Sequence, residues 1–239
     1  MKFFFCSAIA LAATASAEDT SKPLCIPSET EKGPYYFGNF NPGPPGYSCL
    51  SVTSNDSSAI SWKVDFSFPG VIVDDRYWYD SYLSLNTHTV TMARLNSIPV
   101  VFNYISFVNQ DLSAIAHITM HVQPDNIYNL GSMVRLKLCQ SGPDPSWLGQ
   151  YQKEVQVGNV PYSLFQGNIG TMALFTFVPK KCTTSFEGDM KGFLSPLELQ
   201  SSYRLLTVRA GFMIRTGVDA VLSVDKQYMT YIAAVDPSP

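Results

Sequence analysis

Apolar and polar residues alternate with a period of two through most of this chain. From Ile60 to Phe68 the alternation runs without a fault, as in a strand with one buried face, and Pro69-Gly70 ends it. Ile98 to Phe107 predicts another strand. Ala114 to Val122 places Ala114, Ala116, Ile118, Met120 and Val122 on one face and Ile115, His117, Thr119 and His121 on the other. Ser132 to Leu138 turns Val134, Leu136 and Leu138 to the core and Met133, Arg135 and Lys137 away from it. Further strands are expected at 153–158, 161–166, 171–178, 203–211 and 219–234. Only Phe186 to Leu194 has helical spacing, through Phe186, Met190, Phe193 and Leu194, and Gly188, Gly192 and Pro196 weaken it. Residues 18–47 are rich in Pro and Gly, most densely from Pro42 to Gly46, and read as an irregular N-terminal segment. Many strands and one short helix predict an all-β fold, a two-sheet curved β-sandwich of jelly-roll type. No internal repeat or linker divides it.

The first residues change the picture of the ends. Met1-Lys2, an apolar run through Phe5, Ile9 and Leu11, and Ala15-Ser16-Ala17 have the layout of a secretory signal over residues 1–17. The run is shorter than the ~20 apolar residues that span a bilayer. Residues 18–239 then form one domain, expected outside the cell and not in a membrane. Aromatic residues make up 13% and charged residues 15%, which favours packed sheets over disorder. A formal net charge of −3 gives no reason to expect nucleic acid.

Cys6 leaves with the signal, so Cys25, Cys49, Cys139 and Cys182 remain for an oxidising compartment. Four cysteines allow three pairings. Cys25–Cys49 and Cys139–Cys182 are favoured, the first closing a short loop and the second joining two strand ends. The spacings lack a C-x-x-C pair, so no metal or other cofactor is expected. Asn55-Asp56-Ser57 is a glycosylation sequon in a polar stretch.

Several segments, in order, resemble the family 12 glycoside hydrolases. Leu95-Asn96-Ser97-Ile98-Pro99-Val100 is similar to that family's L-x-S-I-P-T entry to a strand. The stretch 157–170 resembles its G-x-x-[YFW]-x-L-[YW]-x-G-x-N-G hairpin. Met172 to Val178 matches the strand that follows. Phe186 to Leu194 resembles its single helix, F-[SN]-x-D-L-x-x-F-[LF], and Val208-Arg209-Ala210-Gly211 its Q-A-G or E-A-G strand. The likeness covers roughly Trp62 to Val235 and implies a glycan cleft on a concave sheet. In overall length and leader it is nearest the secreted endoglucanases and xyloglucanases of filamentous plant pathogens, which places the protein in a host apoplast.

The resemblance also implies chemistry that the residues do not supply. Retaining β-glycosidases need two carboxyl groups about 5–5.5 Å apart, one as nucleophile and one as acid/base. The family's nucleophile segment, Y-E-I-M-I-W-L, reads here Ser132-Met133-Val134-Arg135-Leu136-Lys137-Leu138, with Met133 in place of Glu. Its acid/base segment, A-G-T-E-P-F, reads Ala210-Gly211-Phe212-Met213-Ile214-Arg215, with Met213 in place of Glu. The family's supporting Asp falls at Thr119, and one of its two early stacking tryptophans at Phe68, with Trp62 kept. A thioether neither ionises nor exchanges a proton near neutrality. No acidic residue lies within 132–138 or 210–217, so a small slip in alignment restores neither Glu.

Other signals are weaker. His117 and His121 lie ~13 Å apart along one strand face, too far to share a metal, and read as cleft-wall or surface residues. Arg135, Lys137 and Arg215 either make the vestigial cleft cationic, toward an acidic or carboxylate-bearing partner, or are paired by nearby acids. Tyr35, Tyr36, Tyr77, Trp78, Tyr79 and Tyr82 serve either as core and rim or as sugar-stacking rings. Asp74-Asp75 beside Arg76 reads as a solvated loop.

The expectation is a secreted pseudoenzyme acting by binding, for instance as a decoy for a host glucanase-inhibitor protein or as a ligand of a cell-surface receptor. The alternatives are non-catalytic binding of β-glucan or xyloglucan and residual endo-β-1,4-glucanase or xyloglucanase activity.

Overall fold

The computed structural model describes residues 23–25, 28–32, 34–40, 46–55, 59–69, 78–107, 111–124, 131–197, 199 and 202–234. The signal-like leader, Pro42 to Pro45, the loop with Asp74, Asp75, Arg76 and Tyr77, and the last two sequon residues lie outside them. The strands are β1 (Leu24–Cys25), β2 (Ser28–Lys32), β3 (Tyr35–Phe40), β4 (Tyr47–Asn55), β5 (Ile60–Phe68), β6 (Tyr79–Thr91), β7 (Leu95–Ser97) and β8 (Pro99–Tyr104). They continue with β9 (Leu112–Pro124), β10 (Ser132–Ser141), β11 (Gln150–Val157), β12 (Val160–Ile169), β13 (Met172–Pro179), β14 (Ser185–Asp189), β15 (Tyr203–Met229) and β16 (Ile232–Ala233).

Strand β15 organises the sandwich. It runs for 27 residues. Its first half pairs with β6 and β9, within a layer ordered β2-β3-β6-β15-β9-β10-β13-β12-β11. Its second half pairs with β5 and β8, within a layer ordered β1-β4-β5-β15-β8-β14. The sequence predicts two strands here, 203–211 and 219–234. The chain instead passes through with a register irregularity between Gly217 and Ala220 and a positive φ of 46° at Asp219. Pairing is antiparallel except between β10 and β13.

The alternating residues meet between the layers, as the pattern predicts. Val64, Phe66, Ala116, Ile118, Met120, Val134, Leu136, Val208, Ala210 and Phe212 are fully or almost fully buried in one cluster. Phe212 packs at its centre against Trp62, Phe102, Tyr104 and Phe107, with ring centroids 5.6–6.0 Å apart. Pairs of this kind add about 0.5–1.5 kcal/mol each beyond area burial.

Three local expectations change. The N-terminal segment is not wholly irregular: β2 and β3 form a hairpin whose second strand pairs with β6. The helical stretch is shorter than 186–194, because Ser185 to Asp189 pair with β8 before a single 3₁₀ turn, Met190–Phe193, capped by the Asp189 carboxylate on the Lys191 N–H. Trp62 and Phe68 are core residues, not cleft residues. Trp62 donates its indole N–H to Gln227 (2.7 Å), and Phe68 stacks on Tyr79.

The four cysteines form two disulfides, Cys25–Cys49 and Cys139–Cys182. The first pins β1 to β4. The second ties the end of β10 to the loop before β14.

Candidate functional site

The side chains that point away from the core on β6, β15, β9, β10 and β13 share the outer face of the larger layer, where the resemblance implies a groove. Pairing fixes which of them are level. Asp80, Met213, Ile115 and Gln140 form one row; Tyr82, Gly211, His117 and Lys137 the next. Ser84, Arg209, Thr119, Arg135 and Thr176 follow, then Thr207, His121, Met133 and Leu174.

This register separates the two methionines. Met133 faces His121 on β9 while Met213 faces Ile115, six residues away. Six residues of strand span roughly 20 Å, against the 5–5.5 Å that a retaining carboxyl pair requires. The residue of β10 level with Met213 is Gln140, an amide. Thr119 likewise lies beside Arg135, so the β9 residue beside Met133 is His121. The bulge between Lys137 and Cys139 is what brings Gln140, not Cys139, level with Ile115.

The Met213 end is apolar. Met213, 8% exposed, clusters with Trp78 and Ile115, and Trp147 packs against them, with Trp78 and Trp147 edge to face at 5.9 Å. Gly211 lets β15 approach β6, since a Cβ there would meet the Ser81 carbonyl and Tyr82. Beside this cluster runs a polar chain. Arg135 Nε donates to Thr119 Oγ1 (3.3 Å), whose hydroxyl lies 3.0 Å from His117 Nδ1, and His117 Nε2 lies 3.3 Å from Asp80 Oδ1. One assignment satisfies all three contacts: His117 is neutral, accepts from Thr119 and donates to Asp80. His117 is fully buried, not a surface histidine. Burial pushes its pKa down, with Asp80 opposing. For Asp80, burial works against the charge, but the His117 hydrogen bond and the nearby Arg209 and Arg135 outweigh it and hold the carboxyl below its usual range. Among the described residues, every charged group acting on Asp80 is basic.

The Met133 end is rich in hydrogen-bond donors. Arg135 is 3% exposed, and its guanidinium lies over the Trp147 ring at 4.6 Å. Burial lowers its pKa to about 10, with Asp80 opposing, so it stays charged. Arg209 lies over Tyr82 at 4.5 Å, and Tyr82 donates to Glu29 (3.2 Å). Burial, then Arg209 and Arg135, lowers the His121 pKa to about 4. Arg135 Nη1, Arg209 Nε, His121 Nε2, Thr176 Oγ1 and Thr207 Oγ1 are buried without a hydrogen-bond partner among the described residues. Unpaired buried donors are rare in folded proteins.

The remaining expected site residues divide. Lys137 is neutralised at the rim by Asp144 (2.8 Å) and also donates to Gln140. Arg215 is half-buried beside the irregularity after Ile214. Tyr35 and Tyr79 belong to the core. Among the described residues no cluster of His, Cys, Asp or Glu suits a metal ion. No described helix is long and apolar enough to cross a membrane.

Sequence reasoning missed two parts of the groove. Asp80 lay within an aromatic run that gave no strand signal. Trp147, in the polar loop Pro143-Asp144-Pro145-Ser146, borders a pocket of about 520 Å³ lined by Ser146, Gln150, Gln152, Gln166, Asn168 and two glycines. A tryptophan in such a loop was the available clue. A larger pocket of about 760 Å³, between the Gly158-Asn159 turn and β14, includes none of the floor residues named above.

Solved structures place this curved, two-layer β-sandwich among known folds. The chain superposes on Trichoderma harzianum endoglucanase 3 from family GH12 with a TM-score of 0.78 and 21% identity, over 90% of this chain and 100% of that one. For the catalytic domain of Humicola grisea Cel12A the TM-score is 0.76 at 16% identity, over 88% and 99%. By sequence it is 27% identical to xyloglucan-specific endo-beta-1,4-glucanase 1 of Phytophthora sojae, over 94% of this chain and 97% of that protein. It is 25% identical to xyloglucan-specific endo-beta-1,4-glucanase A of Emericella nidulans, over 75% and 76%. No protein-family model matches the chain. The chain has the fold of the family 12 glycoside hydrolases and is similar in sequence to xyloglucan-specific endoglucanases.

Proposed function

We propose that this protein has left hydrolysis and acts outside the cell by binding. One observation carries the reading. Among the described residues, the row that holds Met213 offers one carboxylate, Asp80, which is engaged by His117 and on which basic groups act. Double displacement needs two carboxyl groups, one of them free to exchange a proton. A thioether packed against two tryptophans and an isoleucine replaces the acid/base position of the family pattern. The purified protein is expected to release no reducing sugar from xyloglucan, and clear turnover overturns the reading.

The partner we favour is a host protein that recognises the family 12 scaffold, such as a secreted glucanase inhibitor, with this chain as a decoy. The layers and core of that scaffold are intact while its groove floor is rebuilt. Biolayer interferometry against such an inhibitor tests this, and absence of binding at micromolar concentration removes it. A second reading, non-catalytic binding of β-glucan or xyloglucan, is favoured by the Trp147 pocket with its three glutamines. Affinity electrophoresis on both glucans decides it.

A further inference from the structure

The unpaired donors of the groove floor are concentrated on neighbouring strands. Arg209 and Arg135 flank Thr119 from either side, so their backbones stand roughly 10 Å apart across two strand spacings. One register step away, His121 lies between Thr207 and Met133, and Thr176 lies beyond Arg135. Each of the five polar side chains has a buried atom without a partner among the described residues. Two guanidiniums on either side of one threonine can close on an oxyanion, and planar guanidinium forks suit carboxylates best. Among the described residues, Asp80 is the carboxylate whose charge reaches Arg135 and His121, and it is already held by His117.

The neighbouring pocket indicates what carries the anion. Trp147 lies over the Arg135 guanidinium and also borders the pocket of Gln150, Gln152, Gln166 and Asn168. Amides pair with sugar hydroxyls, and an indole face stacks on a sugar ring. Gly149 and Gly167 let the Trp147 turn lie close against β12, since a Cβ on either would meet backbone there.

We propose that the groove is a binding site for an acidic oligosaccharide. A uronate carboxylate sits over Thr119 between Arg135 and Arg209, and an adjoining sugar ring lies against Trp147. This goes beyond the protein-binding reading and does not rest on it. It also differs from neutral glucan binding, because the carboxylate is required.

Isothermal titration calorimetry on the full secreted protein at low salt tests it. The probes are a short oligogalacturonate, its methyl ester, a cello-oligosaccharide of equal length, a glutamate-rich peptide and inorganic sulfate. The acidic oligosaccharide is expected to bind at least tenfold more tightly than the ester, the neutral oligosaccharide, the peptide or sulfate. Arg135→Gln, Arg209→Gln and Trp147→Ala should each weaken it by about tenfold or more. Lys226→Gln, an exposed cation on the opposite layer, should leave it unchanged. Thermal melts identify any variant that fails to fold, and Arg135→Lys keeps the charge without the planar fork and should lose part of the affinity. Equal binding of acid and ester, sulfate or peptide binding as tight as the oligosaccharide, an equal effect of Lys226→Gln, or no binding would each overturn the proposal.

Discussion

The two ends of the groove floor are built on the same strands and treat polar groups in opposite ways. Toward Met213 both ring nitrogens of His117 have partners, in Thr119 and Asp80, and Trp78, Ile115 and Trp147 close the face beside them, with Ser113 Oγ left without a partner among the described residues. Around Met133 five polar atoms are buried without a partner among the described residues. A buried unpaired donor costs about 1–3 kcal/mol. The first end therefore stabilises the fold, while the second is carried at a cost in stability. That contrast is the usual mark of a surface kept for a ligand.

Four changes can break or sharpen the contrast. Met213→Glu places a carboxylate in the apolar cluster and should destabilise by about 3 kcal/mol at pH 7, as for a carboxyl raised by about two pKa units. A raised carboxyl favours the fold most at low pH, so the loss should shrink toward pH 4 in urea titrations. His117→Ala should cost about 1.5–3 kcal/mol, because it leaves Asp80 without its hydrogen-bond donor. At the other end, Arg135→Met should be neutral or stabilising by about 1 kcal/mol in the same titrations, since an incompletely paired buried charge is replaced by an apolar chain of similar length. A loss of 2 kcal/mol or more there would erase the contrast. The smallest expected effect is on catalysis: Met133→Glu with Met213→Glu should restore no reducing-sugar release, because the two carboxyls would stand roughly 20 Å apart along the sheet.

Asp80 adds a pH dependence at the paired end. Its pKa is held below the unfolded value of about 3.9. Its contribution is thus complete above that value and is lost as pH falls through the lower folded-state pKa. Stability of Asp80→Asn should fall less steeply between pH 5 and pH 2 than that of the unaltered protein, as read by chemical denaturation.

Period-two patterning revealed most of the sandwich because one face of each strand is apolar. It separated Val134, Leu136 and Leu138 from Arg135 and Lys137 correctly. It did not reveal β6, whose run from Tyr79 to Leu85 mixes aromatic, acidic and hydroxyl residues on two buried faces. The site was less legible for a different reason. Face assignment needs only parity, but level needs register, and register depends on bulges that leave no simple mark in sequence. Met133 and Met213 were therefore placed on the groove side with no means of knowing their separation. Trp62 and Phe68 were misplaced because a tryptophan or phenylalanine on a strand suits a core as well as a sugar.

Strand β15 has a consequence for biosynthesis. It is made after β1 to β14, yet it lies between β6 and β9 in one layer and between β5 and β8 in the other. Until it emerges, both layers lack a central strand and expose four hydrogen-bonding edges. Closure then depends on contacts of long sequence separation, which form slowly. The nascent chain must therefore stay unfolded until almost all of it has been synthesised, which makes it dependent on whatever shields open strand edges on its route.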